Sequence, residues 1–175
     1  MTNTWQAHSL DLQRFADAAG RLSLRTPLAE LERVTTVCTA ETQPGADHAC
    51  AWSLSGEIRG VDSRRQVWLR LQAQISLPQQ CQRCLEPLTI ELMVDRWFRC
   101  VADEATALAE DDGCEEDLLV LSTEFDAVEL LEDELLMALP LIISHDDCHA
   151  PTSPALGDDL PHPFAVLAGL RTPRL

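Results

Sequence analysis

The sequence predicts an α+β fold: a mainly antiparallel β-sheet or partly closed barrel, with short N-terminal helices and one amphipathic helix in the C-terminal half. Three observations carry that reading. Val67, Leu69, Leu71, Ala73, Ile75 and Leu77 alternate with polar residues, and so do Leu88, Ile90, Leu92 and Val94, which is the two-residue period of half-buried strands. The segment joining them, Pro78 to Pro87, is too short for a helical crossover, so the pair should be antiparallel. The block from Ala127 to Leu139 instead places Val128, Leu131, Leu135 and Leu139 on one helical stripe. At 175 residues and 46% hydrophobic content, the chain reads as one domain over 1–145 and a flexible tail over 146–175 that carries a short apolar terminal motif.

In chain order, Ser9 is the expected N-cap of a short helix over Leu10 to Ala19, with Gly20 ending it. Pro27 suits the first position of a second helical turn, where a missing N–H costs nothing. Cys50, Trp52, Leu54 and Ile58 share one face of a strand, with a bulge expected at Gly56. After the two long strands, the acidic segment from Asp103 to Asp117 reads as a solvated loop, and Leu118 to Leu121 as a short returning strand. Asp126 with Glu129 has capping-box logic at the start of the helix, and Pro140 limits its end. Glu129, Glu132 and Asp133 then fall on the wet face. Beyond Ile143 the chain turns rich in Pro, Asp and Gly up to Pro163, followed by the apolar run Phe164 to Leu170.

Charge is distributed unevenly. Residues 1–100 hold 11 Arg and 11 acids, whereas 101–175 hold 2 Arg and 18 acids, so the whole net charge of −16 sits in the second part. Every cation is an arginine, a planar donor suited to phosphate or carboxylate. No apolar run approaches the length of a membrane span, and no export signal is visible at Met1 to Gln6, so a soluble cytoplasmic protein is expected. Seven cysteines, an odd number spread along the chain, do not resemble a secreted disulfide framework.

The turn Cys81-Gln82-Arg83-Cys84-Leu85-Glu86-Pro87, the Asp126 to Pro140 block containing Glu132-Asp133-Glu134 and ending Ala138-Leu139-Pro140, and the terminal Pro163-Phe164-Ala165-Val166-Leu167 occur in that order. Together they resemble the YceD family of large ribosomal RNA subunit accumulation proteins. The resemblance runs from about Val67 onward. It implies a non-enzymatic ribosome-biogenesis factor that promotes synthesis, processing or accumulation of 23S ribosomal RNA and assembly of the large subunit. The partners it implies are 23S rRNA or its precursor particle and a basic large-subunit ribosomal protein. No membrane and no small-molecule substrate are implied.

Three sets of site residues follow as expectations. An RNA surface would draw on Arg64, Arg65, Arg70, Arg83, Arg96 and Arg99, gathered on one side of the sheet, with pairing to the acids of the second part as the competing use of the same side chains. A basic protein partner would meet Glu115, Glu116, Glu129, Glu132 and Asp133. Cys81 and Cys84 read most simply as ordinary thiols with no cofactor. The alternative is a structural zinc site completed by His145 and Cys148, two donor pairs about sixty residues apart. That alternative defines a rival function, a zinc-stabilised protein-interaction module without RNA contact. A thiol redox protein is the weaker rival, because redox pairs of this spacing sit at a helix N-terminus and this one lies between strands. No catalytic residues are expected.

Overall fold

The structure, a computed structural model, describes residues 5–38, 48–61 and 65–149. Its centre is a five-stranded open sheet in the order β1-β2-β3-β4-β5. The strands are β1 (Arg21–Pro27), β2 (Ala49–Arg59), β3 (Gln66–Gln80), β4 (Pro87–Val101) and β5 (Asp117–Val120). The first four are antiparallel neighbours, and β5 returns parallel to β4. Four short helices complete the fold: α1 (Leu12–Asp17), α2 (Glu32–Thr35), α3 (Glu104–Glu110) and α4 (Ala127–Met137). The expected α+β class is observed, and of the two forms expected for its sheet, the mainly antiparallel open sheet is the one found.

The long hairpin extends the alternation read from the sequence. Val67 pairs with Cys100 at its base and Gln80 with Pro87 at its tip, with no slip between. One face presents Leu69, Leu71, Ala73, Ile75 and Leu77, all buried, together with Leu92, Val94 and Phe98 from β4. On this inner face lie α1, through Leu12, Phe15 and Ala16, and α4, through Val128, Leu131 and Leu135. The other face carries Trp68, Arg70, Gln72, Gln74 and Ser76 on β3.

Several local expectations change. Asp11, not Ser9, caps α1, accepting the Arg14 N–H at 3.0 Å, and the helix is shorter than its apolar pattern suggests. The chain after Gly20 is strand β1, which the sequence reading did not contain, and Pro27 ends it before a single 3-10 turn at Leu28–Glu30. Gly56 lies in regular register opposite Leu69 and forms no bulge. Its reason is steric: a Cβ there would lie 2.7 Å from a ring carbon of Phe15 and 3.1 Å from Ala16 Cα, so its bare backbone is what lets α1 approach β2. The acidic segment expected to be a loop contains α3, capped by Asp103, whose carboxylate accepts the Thr106 N–H at 2.8 Å.

The expected helix near the C-terminal end is α4, and Asp126 caps it by accepting the N–H groups of Val128 and Glu129 at 2.8 and 3.1 Å. Burial opposes ionisation of Asp126, but the His8 ring and those two amides outweigh it and hold the carboxyl below its ordinary range. Glu132 departs most from expectation. It is buried, not solvated, and its Oε1 accepts the N–H of Arg33 at 2.8 Å and of Val34 at 3.5 Å. The carboxylate therefore serves amides at the start of α2 that have no partner within the helix, while the neighbouring Asp133 pairs with the Arg33 guanidinium at 2.6 Å.

Two outcomes test this packing. Glu132→Ala strands two buried amides and should lower unfolding free energy by about 1–3 kcal/mol, whereas Glu132→Gln, which keeps an acceptor oxygen, should lose clearly less in urea denaturation. Gly56→Ala should cost about 1–3 kcal/mol in the same measurement, because α1 must lift from the sheet to admit the methyl group.

Candidate metal centre and charged surfaces

The tip of the β3–β4 hairpin is a tight six-residue turn. The Cys81 N–H donates to the Glu86 carbonyl at 2.9 Å, and the Leu85 N–H to the Cys81 carbonyl at 3.0 Å. Leu85 takes the left-handed conformation, with φ at 64°, a region costly for a side chain with a Cβ. The turn places the sulfur of Cys81 under the amides of its own loop: Arg83 and Cys84 donate their N–H groups to Cys81 Sγ at 3.4 and 3.5 Å. Burial pushes the Cys81 thiol up, yet donors from Cys84, Arg83 and His145 prevail and bring it down to about 5.

The chain returns to this tip after α4. The Gln82 N–H donates to the Ile143 carbonyl at 2.8 Å, and the Arg83 guanidinium to the Cys148 carbonyl at 3.0 Å. Contact with the tip thus continues past residue 145, into the start of the segment read as a tail. The sulfurs of Cys81 and Cys148 lie 3.5 Å apart, and Cys84 Sγ lies 3.3 Å from His145 Nδ1. All four donor atoms fall within 4.8 Å of one another. Cys148 is raised above an ordinary thiol by burial, by hydrogen bonds with Cys81 and Cys84, and by their negative charge. The arrangement offers three soft sulfurs and one imidazole nitrogen, all from protein, to a single point.

The arginines do not gather on one side of the sheet. Arg70 and Arg99 stand on the outer face and Arg96 on the inner one. Arg65 reaches Asp17 of α1 at 3.0 Å. Arg70 pairs with Asp95 at 2.7 Å, Arg99 with Glu110 of α3 at 2.7 Å, and Arg96 with Asp117 and, at 3.8 Å, Glu134. Of the candidates, Arg83 has no carboxylate partner among the described residues, and Arg64 lies outside them. Arg59 is inserted between two indoles, its guanidinium carbon 4.1 Å from the ring centres of both Trp68 and Trp97.

The outer face holds two cations the sequence reading missed. Arg21 and Arg25 on β1 alternate with Ser23 and stand beside Ser53, Gln72 and Gln74 across the sheet. Only the pairing of β1 with β2 places them there, and the alternation of Leu22, Leu24 and Thr26 was the available signal. A shallow hollow of about 820 Å³ runs over this part of the sheet, lined by Arg25, Gln72, Gln74, Met93 and Asp95 among others.

Among the candidate partner acids, Glu115 and Glu129 are exposed and Glu116 is half-buried, whereas Glu132 and Asp133 are engaged with α2. Among the described residues, no helix is long and apolar enough to cross a membrane. The terminal apolar run Phe164 to Leu170 lies outside the described residues.

Residues 69–171 match the family model described as "Large ribosomal RNA subunit accumulation protein YceD". A relative of that same name from Haemophilus influenzae is 34% identical, the match covering 63% of this chain and 69% of the relative. No solved structure matches. The matched span takes in most of the β3–β4 hairpin, all four donor residues of the tip, β5 and α4. The chain belongs to the YceD family.

Proposed function

We propose that this protein is a non-enzymatic factor that promotes accumulation of the large-subunit ribosomal RNA, and that it works by holding a basic large-subunit protein. Family membership supports the first half. The second rests on where the charges go when the chain folds. Arg33, Arg65, Arg70, Arg96 and Arg99 are spent on internal ion pairs. The exposed acids Glu104, Asp111, Asp112, Glu115, Glu124 and Glu129 have no cation beside them among the described residues. A chain of net charge −16 organised in this way repels phosphate and attracts lysine-rich and arginine-rich protein over a Debye length of about 8 Å at physiological salt. Binding a positively charged assembly protein raises its local supply and shields it from non-specific RNA contacts, an effect on rRNA accumulation that requires no catalytic group.

A second reading, direct contact with RNA, is favoured by one observation: the outer face of β1–β3 offers Arg21, Arg25, Gln72 and Gln74 with no helix across it among the described residues. Bases and phosphates are read on open sheets by side chains of this type. The two readings separate experimentally.

Loss of the gene in its host should lower 23S rRNA relative to 16S, measured by quantitative RNA electrophoresis, and restored expression should reverse the deficit. In capture from lysate, the large-subunit protein should remain bound after nuclease treatment. Replacing Glu115, Glu116 and Glu129 with Gln should weaken its binding about threefold to tenfold in low salt and flatten the salt dependence. If capture instead depends on RNA, and Arg21→Ala with Arg25→Ala abolishes it while the glutamate variant does not, direct RNA contact replaces the protein-partner reading.

A further inference from the structure

We propose that Cys81, Cys84, His145 and Cys148 bind one structural Zn²⁺, and that this ion fastens the segment following α4 to the hairpin tip. The geometry is that of a tetrahedral site. Zinc–sulfur bonds of about 2.3 Å and zinc–nitrogen bonds of about 2.0 Å imply donor–donor edges of roughly 3.5–3.8 Å. The contacts of 3.5 Å between Cys81 and Cys148 and 3.3 Å between Cys84 and His145 fall close to those edges. The remaining pairs lie within 4.8 Å. A disulfide would require the sulfurs to meet at about 2.05 Å, and both cysteines are free.

The donor set selects the metal class. Three thiolates and an imidazole favour zinc over the oxygen-seeking cations, and four protein ligands leave no position for a reacting water, so the site is structural. The three cysteines bind as thiolates, each losing its proton to solvent, and His145 binds as the neutral ring. The surroundings suit a thiolate centre: the amides of Arg83 and Cys84 point at Cys81 Sγ, and Arg83 anchors the Cys148 carbonyl. Such second-sphere donors orient the ligands and offset charge.

The fold gives the ion a task. The two closest contacts join residues 61 and 67 positions apart in the chain. Burial does not hold the returning segment, since Leu141 is 98% and Ile142 74% exposed. The other ties are polar contacts: a backbone hydrogen bond from Gln82 to Ile143, the His145 backbone donor to Cys81 and the Arg83 contact with the Cys148 carbonyl. The hairpin core from Leu69 to Ala73, by contrast, lies at least eight residues from the nearest donor, Cys81, and should stand without the metal.

The test uses the full chain, purified with its thiols reduced, with elemental analysis for zinc and hydrogen exchange at the Gln82 amide. The expected result is about one zinc per chain. Cys84→Ser and Cys148→Ser should each release most of it, and chelation of the unmodified protein should speed Gln82 exchange at least about tenfold while amides of Leu69 to Ala73 stay protected. Cobalt(II) in place of zinc should give the visible and charge-transfer bands of a tetrahedral thiolate site. The proposal is overturned by protein that stays zinc-free when reduced and supplied with equimolar zinc, or by a Cys81–Cys148 disulfide in freshly isolated protein. Zinc retained in full by the Cys84→Ser and Cys148→Ser variants overturns it equally, as does unchanged Gln82 exchange after the metal is removed.

Discussion

The rest of the structure depends on the uninterrupted pairing of β3 with β4. Each strand has 15 residues, and the register holds from Val67 opposite Cys100 to Gln80 opposite Pro87. Strands of that length span about 50 Å, longer than the helices that cover them. A slip of one residue would turn Leu69, Leu71, Ile75, Leu92 and Phe98 toward water and Trp68, Arg70 and Asp95 toward the core. The hydrophobic effect therefore locks the register, and the locked register delivers everything else. The half of the hairpin towards its base receives β2, β5 and α1, α4 packs on the same inner face, and its tip carries the cysteine turn.

Charge follows from that frame. The register sets Arg70 diagonally across from Asp95, and the layers bring Arg99 to α3, Arg96 to Asp117 and Glu134, and Arg33 to α4. Each exposed pair contributes little to stability, with typical values of about 0–1 kcal/mol. Pairing leaves the net charge of −16 unchanged, and with it the long-range field, but it engages the paired arginines with carboxylates of the same chain.

The two ends of α4 tie the N-terminal and C-terminal parts into this frame. Its first turn is joined to the start of the chain, where Ala127 donates to Ala7 and His8 meets Asp126. Its middle caps α2 through Glu132. Beyond it, residues 141–149 return to the hairpin tip, with little apolar burial to hold them there. Chemistry at the tip and packing at the base are thus separable, so a change in one need not unfold the other.

Much of this was legible in the sequence where the signal is local and repetitive. Two-residue alternation from Val67 to Leu77 and from Leu88 to Val94 announced the hairpin, the short connection set its direction, and the Val128, Leu131, Leu135 stripe with Asp126 before it announced α4. Strand β1 escaped because Arg21 to Pro27 contains only Leu22, Leu24 and Thr26 on its inner face, too few to stand out from a loop until β2 pairs with it. Glu132 read as solvated because helical period assigns a face but cannot see that α2 approaches from the side with bare amides. Spacing suggested the four donors at the tip, yet their convergence is a property of the folded path. The sequence by itself determined the sheet-forming hairpin, the capped helix and the one-sided distribution of acid, because these arise from nearest neighbours and periodicity. Only the tertiary structure decided which arginines remain unpaired, which glutamate is buried and that His145 and Cys148 meet Cys81 and Cys84, because each depends on contacts between groups tens of residues apart that only the completed sheet and its helices bring together.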